Sequence, residues 1–186
     1  MISLIKVVGF IAIWSLAITC CMNHVSNFKY PQAGLPKLLW EWEPDDFPIV
    51  VAFTEMESQY LEGGYAAVKW INNRLDFPAF IILEDEAIES GNGFILVGYC
   101  KDLCPGGIAG RAMKLEGIGY VLINENVESY VERLMAHEFM HVLGIRHRKD
   151  AKILDLMNHW VYNTIYHLHY DEVFEVRKQA GLEDND

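Results

Sequence analysis

Residues 137–147 read His-Glu-Phe-Met-His-Val-Leu-Gly-Ile-Arg-His, and this run constrains the fold more than any other part of the 186-residue chain. As a helix it places His137 and His141 one turn apart on a common face, where two imidazole nitrogens reach one point. Glu138 then projects beside that point. Gly144, three residues past the second histidine, is the residue type that takes the left-handed conformation ending a helix, so the chain can turn back and deliver His147. The pattern predicts a zinc site with His137, His141 and His147 as ligands. Three protein ligands leave zinc a position for water, which separates a reactive site from a structural one, and Glu138 is the candidate base. The bland reading is an amphipathic core helix with hydrogen-bonded histidines; it gives no reason for the glutamate or the glycine.

The eleven residues resemble the signature of the metzincin family of zinc endopeptidases, which adds a methionine in a tight turn below the metal. Met157, ten residues past His147 in Ile-Leu-Asp-Leu-Met-Asn-His, stands where such a methionine would stand. The matrixin branch is the most similar, by the short spacing, the Leu-Met pair and the C-terminal run His-Tyr-Asp-Glu-Val-Phe-Glu-Val-Arg. Two features depart from it: the linker from His147 to Met157 is slightly long, and Arg148-Lys149 replace the small residue often seen after the third histidine. The resemblance implies an α/β (α+β) catalytic domain with a twisted mixed sheet, two long helices, and a short C-terminal subdomain carrying the Met-turn and a closing helix. It implies one catalytic zinc and hydrolysis of a protein or peptide substrate bound in extended form. His159, two residues after Met157, stands where the astacin-like branch carries a tyrosine that approaches the metal. It is a candidate oxyanion donor or a pocket-wall residue. The alternative from another class is a cell-surface binding protein that keeps the fold without turnover; intact Glu138 weighs against it.

Length and composition set looser bounds. A hydrophobic fraction of 52% is ample for the core of one ordinary domain, and a formal charge of -11 opposes binding to nucleic acid or to anionic membranes through charge. A monomer is expected. Residues 1–21 read as a leader: one positive charge at Lys6, an uncharged run from Val7 to Ile18, then Cys20-Cys21. That run is short for a membrane span and suits a signal peptide, with an uncleaved anchor as the alternative. The paired cysteines leave open a lipoprotein-type leader, so the expected location is extracytoplasmic, either secreted or membrane-attached. Cys100 and Cys104 are then candidates for a short disulfide, with free buried thiols as the alternative.

Residues 22–46, with Pro31, Gly34, Pro36 and Pro44, read as a linker that lies against the domain through Trp40 and Trp42. The peptidase-like domain spans 47–182, and 183–186 is an acidic tail. Strands are predicted at 48–53, 79–83 and 94–99, and a helix at 57–75 with Ala67, Trp70, Ile71 and Leu75 on its apolar face. The acidic loop 84–92 is a weak candidate for structural calcium, since its carboxylates lack the spacing of a dedicated calcium loop. Residues 117–124 form a strand that the resemblance places at the sheet edge, where substrate would add as a further strand. Asn126 or Ser129 is expected to cap the zinc-ligand helix, Ser129 pairing with Glu132 in a capping box. Its buried side should carry Met135, Phe139 and Val142. The closing helix is expected over 163–180 and ended by Gly181, with His167 and His169 on its surface rather than as ligands.

Overall fold

The computed structural model describes residues 41–83, 92–100, 104, 108–147, 155–157 and 167–182. Within them the chain forms a mixed α/β unit of five strands and three α-helices. Strand β1, Ile49–Phe53, is followed by helix α1, Ser58–Leu75, and strand β2, Phe80–Ile82. Strands β3, Phe94–Tyr99, β4, Gly110–Leu115, and β5, Ile118–Ile123, precede helix α2, Val131–Val142. Helix α3, Tyr170–Gln179, closes the described chain. Residues 1–40, with the predicted leader and Trp40, most of the acidic loop and residues 183–186 lie outside the described residues.

The sheet has the order β2-β1-β3-β5-β4. All neighbours are parallel except β4 and β5, which pair antiparallel from Gly110 opposite Ile123 to Leu115 opposite Ile118. Central β1 is Ile-Val-Val-Ala-Phe, a β-branched run buried along nearly its whole length, as a strand covered on both faces requires. On α1 the buried residues Tyr60, Gly64, Ala67, Val68, Ile71 and Leu75 recur at the three- and four-residue spacing that makes one helical face. The apolar residues of that face share one core with Phe80, Ile95, Val97, Val121 and Ile123 of the sheet and with Met135, Phe139 and Met140 of α2.

The expected strands and first helix are present within a residue or two of their predicted bounds. The edge assignment is corrected. Residues 118–123 form β5, which is paired on both sides, and the edge beside it belongs to β4, with β2 at the opposite edge. Strand β4, Gly-Arg-Ala-Met-Lys-Leu, is half-buried throughout and so carries no alternation that would announce it. The cap assignment is also corrected. Helix α2 begins after Tyr130, which sits in the left-handed region at φ 61, and no side chain caps it. Glu132 is therefore the second helical residue, not the third that a capping box needs.

Upstream of Phe47 the core reaches back to Trp42, which is 3% exposed. Its indole Nε1 donates to the Val142 carbonyl at 2.9 Å, at the C-terminal end of α2. The ammonium of Lys114 lies 3.6 Å above the same ring. Cys100 and Cys104 are joined in a disulfide. Helix α3 starts at Tyr170, and His167 and His169 precede it outside the helix rather than lying on its surface. Gly181 follows α3 at φ 71, as the predicted terminator should.

Candidate metal centre

Helix α2 is buried on nearly every side, so its histidines sit on an element that cannot drift. Val131, Arg133 to Met140 and Val142 are all buried, with Met135, Phe139 and Val142 at 0% exposure. From α1, the Tyr60 hydroxyl reaches the carbonyls of Glu125 and Val127 at 2.7 and 2.9 Å, pinning the chain that leads into α2.

The helix ends as the glycine hinge predicts. Gly144 has φ 84, its N–H donates to the His141 carbonyl at 2.9 Å, and the Ile145 N–H donates to the Met140 carbonyl at 3.0 Å. This pair of bonds is the Schellman motif, which satisfies two carbonyls left over at a helix end. A residue with a Cβ would meet a cost of about 1–2 kcal/mol in that left-handed conformation. The reversal delivers His147 to the other two histidines.

His147 Nε2 lies 2.9 Å from His137 Nε2 and 3.1 Å from His141 Nε2. The three rings can hold a metal ion. Ligand nitrogens at about 2.0–2.1 Å from one tetrahedral zinc would stand about 3.3 Å apart, so a small outward relaxation accommodates the ion. The opposite ring nitrogens support the same reading. His137 Nδ1 donates to the Leu156 carbonyl at 2.6 Å, and His141 Nδ1 donates to the Ile145 carbonyl at 2.7 Å. With Nδ1 carrying the proton, each Nε2 presents a lone pair to the shared point; metal-ligating histidines are oriented in this way by outer hydrogen bonds.

Electrostatics favours the neutral, metal-binding form of these rings. Burial holds His137 well below the ordinary histidine range, reinforced by neighbouring His141, while its bond to Leu156 acts in the opposite sense. Burial also lowers His141, against the opposing bond to Ile145. Exposure rises from buried His137 through half-buried His141 to exposed His147, so the cluster opens to solvent on one side.

Glu138 is 5% exposed, and burial pushes its carboxyl up to about 8, with the guanidinium of Arg111 on β4 opposing the shift. Its side chain faces the edge strand. A Cβ built on Gly110 would stand 2.9 Å from Glu138 Oε1 and 3.1 Å from Leu134 Cδ1, so a side chain there would push the carboxylate from its place. Met157 is fully buried and directly follows Leu156, whose carbonyl orients His137.

His159 lies outside the described residues, as does most of loop 84–92 with the calcium reading. Gly110, Arg111, Arg133 and Asp155 are site residues that sequence reasoning misses. Arg133 is 1% exposed, one turn before His137, and its Nη2 donates to the Asp155 carbonyl at 3.1 Å. The one signal for it is a charged residue inside an otherwise apolar helical face. His167 and His169, expected on a helix surface, instead approach Asp155.

Fold and site together define a mixed α/β protein with a three-histidine cluster suited to a metal ion. Against known proteins, the chain matches no family model and no curated sequence.

Proposed function

We propose that this chain is a zinc-dependent endopeptidase of the metzincin type. The observation that carries the reading is the convergence of the His137, His141 and His147 Nε2 atoms beside a buried glutamate that faces an antiparallel edge strand. His137, His141 and His147 would hold zinc, which supplies Lewis acidity by polarising a peptide carbonyl and acidifying water.

The chain's own residues do the rest. Glu138 accepts a proton from the attacking water at its carboxylate and passes it to the nitrogen of the leaving amine. Any cation held beside it favours the ionised form that this role requires, against the upward push of burial. The Leu156 and Ile145 carbonyls keep two of the rings oriented, and buried Met157 fills the space beside Leu156. An extended peptide has backbone partners on β4, whose outer edge makes no ladder to another described strand.

Peptide-library cleavage by the protein, with and without a chelator, tests the reading. Chelator-sensitive cleavage that disappears in Glu138→Gln is the expected result. Zinc binding without cleavage of any library member would instead favour a metzincin-fold binding protein.

A further inference from the structure

Away from the first cluster, Asp155, His167 and His169 bring one oxygen and two nitrogen donors within 4.8 Å of one another. His167 Nε2 lies 2.8 Å from Asp155 Oδ1, and His169 Nε2 lies 3.1 Å from Asp155 Oδ2. The aspartate side chain is 2% exposed, whereas the two rings are 47% and 34% exposed. A buried carboxylate is costly unless cations or donors compensate it. Here two imidazoles are presented to its two oxygens from one short segment.

The backbone holds this arrangement at several points. Asp155 and His167 form a parallel bridge, with the Leu156 N–H donating to the His167 carbonyl at 2.9 Å. Arg133 secures the Asp155 carbonyl from α2, and the His169 N–H donates to Glu172 Oε2 at 2.8 Å at the start of α3. His169 Nε2 is itself buried from water and makes no hydrogen bond, although Asp155 is close. This nitrogen is thus not committed to a hydrogen bond, and it lies within 4.8 Å of both the Asp155 oxygen and the His167 nitrogen that could share a metal ion with it.

We propose that Asp155, His167 and His169 form a second site for a divalent transition-metal ion of the zinc class. Two imidazoles and one carboxylate suit zinc and its neighbours; calcium and magnesium take all-oxygen sets. Donors about 2.0–2.2 Å from one tetrahedral zinc stand about 3.3–3.6 Å apart, so nitrogens now 2.8 and 3.1 Å from the two Asp155 oxygens would relax outward by about 0.5 Å to take the ion. The ion's role is to hold the segment Asp155–Met157, whose Leu156 carbonyl orients His137. The site does not depend on peptidase activity at the first cluster.

The test is equilibrium dialysis of untagged full-length chain against zinc alone, with bound metal read by mass spectrometry. The parent, His141→Ala, His167→Ala/His169→Ala and the triple variant are compared. The expected result is one zinc per chain fewer in His167→Ala/His169→Ala than in the parent, and one fewer again in the triple variant than in His141→Ala. Equal zinc in each of those pairs overturns the site and leaves the two imidazoles as ordinary partners of Asp155. Because His141→Ala removes a ligand of the first cluster, the second difference reads the new site even where the first cluster does no chemistry. Should the double variant not fold, His167→Ala alters only a half-exposed ring and, by removing one of three ligands, is expected to lower zinc affinity at this site by more than about tenfold. Unchanged zinc affinity in that variant overturns the proposal equally.

Discussion

Both histidine clusters use the short segment Asp155–Met157, yet they are built on different kinds of backbone. His137, His141 and His147 stand on one buried helix and the turn that ends it, within eleven residues. Their geometry follows from helical pitch and one positive-φ glycine, both local properties. Asp155, His167 and His169 meet through a parallel bridge between segments twelve residues apart, secured by an arginine from α2 and the start of α3. Their geometry is tertiary. A locally built cluster is preorganised before any ion arrives, whereas a cluster assembled by remote contacts depends on those contacts and on what it binds.

The strongest way to break this contrast is to remove a ligand from the first cluster. His141→Ala is expected to abolish zinc binding there and with it all chelator-sensitive hydrolysis. His167→Ala, by contrast, is expected to lower hydrolysis by about 10–100-fold, as an outer-shell change does, and to leave the remainder chelator-sensitive. Metal analysis alongside a peptide assay reads both. If His167→Ala proved as damaging as His141→Ala, the two clusters would be one functional unit.

Glu138→Gln is next in size. It should keep zinc and lower kcat by about 10²–10⁴, the usual worth of a positioned base. It also isolates a pH effect in metal-free protein. Folded Glu138 titrates at about 8 against an ordinary 4.5, so between those values the folded state holds a proton that the unfolded state has released. Stability from this group therefore declines as pH rises through that window. Denaturant melts of metal-free parent and Glu138→Gln from pH 5 to 8 should show the parent losing stability relative to the variant. A constant difference between them would remove the buried, protonated glutamate from the description.

The same contrast explains what can be read from the sequence. The first cluster, the α1 face and β1 are legible because periods of 3.6 and 2, or a β-branched run, are local patterns. Strand β4 is not legible, since Gly-Arg-Ala-Met-Lys-Leu is half-buried at every position and its edge place is decided by pairing with β5. Without β4, residues 118–123 look like the edge. The sequence places His167 and His169 on a helical surface because the apolar spacing after Asn163 extends past the true helix start at Tyr170. Nothing local signals that Asp155 lies next to them.

Arg133→Met tests the tertiary side of the comparison. It keeps much of the side-chain volume but removes the donor to the Asp155 carbonyl, at a cost of about 1.5–3 kcal/mol for a charged hydrogen bond. Chemical denaturation should show that loss. Zinc titration should show the second cluster weakened more than the first, because α2 keeps its own hydrogen bonds. Equal weakening would mean that the Leu156 carbonyl, not the helix, governs the orientation of His137.

The smallest effect is expected at the other end of α3. Gln179 Nε2 donates to the Leu143 carbonyl at 2.9 Å, and its Oε1 accepts from the Trp42 N–H at 3.2 Å. Together with the indole of Trp42 on Val142, these bonds occupy the backbone where α2 turns toward His147. Each is worth about 0.5–1.5 kcal/mol, so Gln179→Met, which removes two of them, should cost about 1–3 kcal/mol in a denaturant melt. His169 stands ten residues earlier, about 15 Å along the helix axis, beyond the reach of a local rearrangement. Zinc affinity should therefore fall slightly at the first cluster and stay unchanged at the second. A matching loss at both would show α3 moving as a rigid bar that couples them, and the locally built cluster would then share the remote dependence of its neighbour.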